Sequence, residues 1–218
     1  MKGKKKPALE KRAYTFEVRA EENEQGHIIS GRPIVYNSRT DIGGWFEEVI
    51  EPGALDGADL TDVRFLVNHD LSKIPLARSR RNNGNSTMQL TPDSFGLNMD
   101  WVKLDTENNA DARALYSAVQ RGDITGMSFL FSVPDGGDEW ENLDSDYPTR
   151  HVRQIGSVVE VSAVTFPAYE STEIYARSKE ALENARSAVE TARQQSAPSV
   201  ETDELALLKE KTKILGGN

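Results

Sequence analysis

The chain contains no cysteine. That absence alone excludes disulfides, thiol catalysis and cysteine-ligated metal sites. Histidine is scarce as well, so any imidazole chemistry has to come from His27, His69 or His151. No apolar run approaches the roughly 20 residues that span a bilayer. The opening stretch, "MKGKKKPALEKRAY", is basic but has no apolar segment. Neither a membrane partner nor a secretory signal is expected from these features. Apolar residues make up only 37% of the 218, low for a fully packed globule, which suggests a domain with a solvated appendage.

Charge is abundant and uneven. The net value is −9, although six of the first twelve residues are basic. The body is therefore strongly acidic and would be repelled by a phosphate backbone, so nucleic acid is not an expected partner. Residues 1–12 read as a basic, flexible leader.

Within the body, short alternating runs dominate. Tyr14, Phe16 and Val18 suggest a first strand, and "HIISGRPIVYN" a second, interrupted at Gly31 and Pro33. "TDIGGWFEEVIEPGAL" reads as irregular, with Pro52 placed to open a short helix. "DVRFLVNHD" is a strand closed by turn formers, and "TMQL" to "GLNMDWV" a hairpin. One helix is well signalled. Thr106 is placed to cap it, Ala114, Leu115, Ala118 and Val119 recur at helical spacing, and Gly122 ends it. "GMSFLFSV" alternates again, setting Met127, Phe129, Phe131 and Val133 opposite Ser128, Leu130 and Ser132. After an acidic loop, "RHVRQIGSVVEVSAVTF" reads as one long strand. The fold class expected is mainly β with packed helices, an α+β arrangement or small barrel rather than a doubly wound sheet.

Beyond Ser178 the composition changes. "SKEALENARSAVETARQQ" is helix-prone, with a thin stripe of Leu182, Ala185, Val189 and Ala192, and "ETDELALLKEKTKIL" follows. A stripe this narrow cannot pack a domain alone. The expected organisation is a domain over 13–177 and a partly helical, mobile tail over 178–218 that docks on a partner.

A serine hydroxyl needs an adjacent base, usually an imidazole, and that base needs an orienting group. Ser128 and His69 supply the first two if their strands are neighbours. Glu160 interrupts the apolar run "SVVEVSAV" and shares a face with Val158, Ser162 and Val164, where a carboxylate is costly without a partner. An imidazole N–H would offset that cost. The same residues admit blander roles: a hydrogen-bonded turn histidine, a packing serine, a solvated edge glutamate. A zinc site built from His27, His69 and His151 is a further alternative. No His-x-His or helical i, i+4 pair supports it.

The order and wording of several blocks resemble the prohead maturation protease family of tailed bacteriophages. These are "GHIISGRPIVYNS", "IEPGAL", "VRFLVNHDLSKIPLARS", "VQRGDITGMSFLFSV" and "VVEVSAVTFPAYESTEI". The resemblance covers about Arg12 to Arg177. It implies a closed or nearly closed β-barrel of the herpesvirus-protease type. It also implies a serine endopeptidase with His69 of "NHD" as base, Ser128 of "GMSF" as nucleophile and Glu160 as third member. His151 is the alternative third member, since the herpesvirus enzymes use a second histidine. Arg78, Met127, Phe129 and Arg153 are candidates for the substrate and oxyanion vicinity, and Ala77 and Leu130 stand where the family pattern often has glycine. No cofactor or metal is implied. The implied partners are the major capsid protein with its scaffold segment, and the chain itself through self-association or self-cleavage. The implied place is the assembling procapsid in the bacterial cytoplasm, where the tail serves as a tether or a removable segment. A capsid-assembly factor without enzymatic activity, on the same barrel, is the competing reading.

Overall fold

Among the described residues, thirteen strands and two helices position the candidate side chains. The structure is a computed structural model and describes residues 9–14, 18–23, 26–81, 83–165 and 179–196. The first half contains β1 (Leu9–Tyr14), β2 (Arg19–Asn23), β3 (Gly26–Val35), β4 (Arg39–Ile42), β5 (Phe46–Ile50), β6 (Arg64–Val67) and β7 (Ala77–Arg78). The hairpin β8 (Met88–Asp93) and β9 (Gly96–Leu104) leads to helix α1 (Ala110–Arg121). Then follow β10 (Gly126–Ser132), β11 (Asp138–Glu141), β12 (Thr149–Val152), β13 (Ser157–Val164) and helix α2 (Lys179–Ser196).

The strands form three sheets, in the orders β1-β10-β13-β6-β7, β11-β12-β5-β4 and β2-β3-β9-β8. The protein is thus mainly β with helices, in the α+β class. No closed barrel is found among the described residues, contrary to expectation. Closure requires the end strands of one sheet to pair with each other. In the five-stranded sheet those ends are β1 and the two-residue β7, which offers almost no ladder to pair with.

One apolar core joins the sheets and α1. Ile29, Ile34, Phe65, Met88, Leu97, Met99, Phe129 and Val161 are fully buried within it. Helix α1 contributes Ala112, Leu115, Tyr116 and Val119 from one face. Asn109, not Thr106, caps it: the Asn109 side chain accepts from the Asp111 and Ala112 N–H groups. Thr106 instead hydrogen-bonds His27 Nδ1 at 2.7 Å. Gly122 closes the helix at φ 78°, a left-handed conformation that costs glycine little.

Other segments depart from the sequence expectation for local reasons. Leu9 to Arg12, read as leader, belong to β1 because their backbone pairs with β10. No helix opens at Pro52. Gly53 is left-handed at φ 86°, and the Ala54 N–H closes a turn on the Glu51 carbonyl. The long strand ending near Phe166 is two strands in different sheets. The Arg153 and Gln154 N–H groups both turn to the Gly137 carbonyl at 2.8 Å, which ends β12 before β13 begins.

Helix α2 packs Ala185 and Val189 against Ile42 and Phe46, with Trp140 alongside in edge contact with Phe46. The expected stripe is therefore buried on this chain at Ala185, Val189 and Ala192. The Leu182 side chain and the 201–215 segment lie outside the described residues. Val189→Asp would bury an unpaired carboxylate, a cost of several kcal/mol that undocking avoids. The expected outcome is rapid protease cleavage within 179–196 while the β body stays resistant, read by limited proteolysis and mass spectrometry.

Candidate active site

Strand β10 lies between β1 and β13, and all seven of its residues are buried. Met127 and Phe129 join the apolar core, as alternation suggests, and so cannot line a solvent-facing site. Ser128 lies on the opposite side of the strand, level with Ala13 of β1 and Ser162 of β13. It is fully buried.

His69 reaches Ser128 because of a backbone turn. Immediately after β6, Asn68 and His69 adopt consecutive left-handed conformations, with φ of 54° and 58°. Such conformations cost non-glycine residues about 1–2 kcal/mol each and persist where surrounding contacts enforce them. The contacts here come from β13 and the residue that follows it. The Asn68 N–H donates to the Ala163 carbonyl at 2.9 Å, and the Thr165 N–H donates to Asn68 Oδ1 at 2.9 Å. The His69 N–H donates to Ser162 Oγ at 3.2 Å. The turn formers of "NHD" are thus what carries the His69 ring towards Ser128.

The imidazole bridges two side chains. Nε2 meets Ser128 Oγ and Nδ1 meets Glu160 Oε1, both in close hydrogen-bond contact. Glu160 is fully buried on β13, and its other oxygen accepts from Ser162 Oγ at 2.6 Å. The carboxylate thus has a donor on each oxygen, which offsets its desolvation. Ser162 holds both the acid and the histidine backbone. Alternation placed Ser162 on the Glu160 face, but only the strand pairing reveals that bridging position.

The remaining candidates lie elsewhere. His151 is on β12, with Nδ1 2.6 Å from Glu51 and Nε2 3.3 Å from Glu141. It is not brought to His69. Arg78 is bound to Asp62 at 2.5 and 2.7 Å, and Arg153 pairs with Glu139 on the surface. His27 contacts Thr106, so the three histidines do not converge on one point. Among the described residues, no cluster of histidine, aspartate and glutamate has metal-holding geometry.

The family model described as Caudovirus prohead serine protease matches residues 14–187. The chain belongs to that family. No curated relative and no solved structure matches it. Membership makes the chain a serine-peptidase relative in the setting of phage capsid maturation. The matched span includes Ser128, His69, Glu160 and nearly all the β body, whereas β1 lies almost wholly before it.

The chain also buries an ion network beside Ser128 that no sequence signal exposed. Arg12 of β1 forks onto Glu48 of β5 through Nε and Nη2, the latter at 2.7 Å, and meets Glu10 at 2.7 Å. Arg150 of β12 binds Glu10 at 2.5 and 3.0 Å, Glu48 at 3.0 Å and Asp138 at 2.6 Å. Glu48 has no solvent exposure. An open cleft of about 1020 Å³ runs along this region, lined among others by Arg12, Ser128, His69, Arg150 and the inner face of α2.

Burial alone would raise the Glu10 carboxyl, but Arg12 and Arg150 outweigh it and hold it at about 2, against an ordinary 4.5. Its folded-state value is depressed, so its contribution is complete above pH 4.5 and is lost as pH falls from there through 2. The ceiling is about 3 kcal/mol. In urea titrations the wild type should therefore lose more stability between pH 4.5 and 2 than Glu10→Gln does. Parallel curves for the two proteins would refute this role for Glu10.

Proposed function

We propose that the protein is a serine endopeptidase acting through an acyl-enzyme, with Ser128 as nucleophile, His69 as general base and Glu160 as its orienting acid. The observation that carries this reading is the continuous hydrogen-bond chain Ser128 Oγ–His69–Glu160, buried at its acidic end and opening to the cleft. Ser128 Oγ attacks the scissile carbonyl carbon while its proton passes to His69 Nε2. Glu160 accepts the Nδ1–H, keeps the reactive tautomer and stabilises the imidazolium that forms. His69 then returns the proton to the departing amine, and a water molecule resolves the ester by the same base. Ser162 is a positioning residue for His69 and Glu160.

The substrate proposed is the major capsid protein, cut at its scaffold segment inside the assembling procapsid. Ser128→Ala should abolish processing of co-expressed capsid protein. Glu160→Gln should lower kcat by about 10⁴, the scale of losing the tautomer-fixing acid in a comparable triad. His151→Ala should leave kcat within a few-fold. A severe loss in His151→Ala with a normal rate in Glu160→Gln would reverse the assignment of the third member.

The composition change after Arg177 supports a second element of this reading, a tail that tethers the enzyme to the shell. A chain ending at Ser196 retains α2 and its packing. It should enter proheads less efficiently than the full chain, as measured by protease content of purified proheads. Equal packaging would refute the tether.

A further inference from the structure

Strand β1 places a peptide carbonyl directly on the serine. Ser128 Oγ donates to the Arg12 carbonyl oxygen at 2.6 Å, while the same hydroxyl contacts His69. One hydroxyl proton cannot serve both acceptors, so this contact competes with transfer to the imidazole. The same residue sends its side chain into a buried charge site. The guanidinium is forked on Glu48, lies 5.5 Å from the centre of the Phe131 ring, and is only 7% exposed. Two residues earlier on the same strand face, Glu10 pairs with Arg150.

We infer that β1 occupies the place of a substrate strand, and that Glu48 and Arg150 read the substrate's arginine and a preceding acidic residue. This inference rests on the peptidase reading above. The substrate class is an extended peptide with an acidic residue, any residue and an arginine in succession, cut after the arginine. It pairs antiparallel with β10, as β1 does through its register from Leu9↔Ser132 to Tyr14↔Met127. Once β1 leaves, Glu48 and Asp138 face Arg150 alone, a net negative site that favours an incoming guanidinium. Asp138 and Glu48 keep Arg150 in place to receive the acidic residue. A buried carboxylate left without its fork discriminates strongly against a neutral side chain. In the reaction, Oγ bonds to the arginine carbonyl carbon and the C–N bond to the next residue breaks. The serine proton leaves on the new amine by way of His69, and water releases the arginine carboxylate. In the resting chain β1 is a blocking strand, because the hydroxyl donates to the carbonyl oxygen instead of attacking its carbon.

The test uses dye–quencher peptides carrying Ala-Leu-Glu-Lys-Arg-Ala-Tyr-Thr, with Gln replacing Arg or Glu in matched partners. They are given to full-length wild type and to Arg12→Gln, Glu48→Gln and Ser128→Ala chains, with denatured casein as a general substrate. Arg12→Gln, with its own strand weakened, should cut the arginine peptide faster than wild type does, and after the arginine by mass. Both chains should prefer arginine to glutamine by about 100-fold in kcat/KM, and the Glu-to-Gln peptide should fall by about 10-fold. Glu48→Gln should erase the arginine preference. The wild-type ratio stands as a readout even if that variant does not fold. Equal cutting of the arginine and glutamine peptides overturns the inference, as does cleavage at another bond. Ser128-dependent casein hydrolysis with the arginine peptide left intact overturns the subsite but spares the peptidase reading. No Ser128-dependent hydrolysis of any substrate overturns both.

Discussion

The antiparallel pairing of β10 with β13 is the constraint on which the site depends. It sets Ser128 level with Ser162 and Leu130 level with Glu160. The parallel pairing of β13 with β6 then brings the end of β6, and with it the Asn68–His69 turn, to the same edge. A one-residue slip in either ladder would turn Ser128 or Glu160 to the opposite face and separate the three side chains. Burial of Met127 and Phe129 on the other side of β10 opposes such a slip, because their apolar surface would have to leave the core.

Polar groups sit in this interior because each has a partner. Glu160 is met by His69 and Ser162, and Glu48 by Arg12 and Arg150. The two networks flank one strand and differ in kind. The first holds an imidazole between an acid and a hydroxyl, an arrangement suited to moving a proton. The second sets carboxylates against guanidinium groups, an arrangement suited to recognising a charged side chain. Arg12 joins them, with its carbonyl on Ser128 and its side chain on Glu48.

Much of the β architecture was legible in local pattern. Gly126–Ser132 alternates, Arg64–Val67 ends in turn formers, and Met88–Leu104 turns through Ser94 and Phe95. The misread segments share a cause. Pro52, Thr106 and the 150–166 run all carry signals that nearby hydrogen bonds override, at Gly53, Asn109 and Gly137 respectively. Leu9–Arg12 looked like a basic leader because composition is blind to a strand whose only requirement is a free edge on β10. Among the site residues, Ser128, His69 and Glu160 were conspicuous as a serine, a histidine and an acid in apolar settings. Ser162, Glu48 and Arg150 were not, since nothing in their neighbours marks them as buried partners.

By itself the sequence determined the chemical inventory: no thiol, three imidazoles, an acidic body, and a serine on an apolar alternating strand. It also determined family membership, since the matched residues run through nearly all of that body. Only tertiary structure decided which of those groups meet. Contacts between residues 59 and 91 positions apart, such as His69 with Ser128 and with Glu160, depend on strand order and register, which local spacing does not encode. The same long-range pairing separated His151 from the serine and laid Arg12, 116 residues away in sequence, against it.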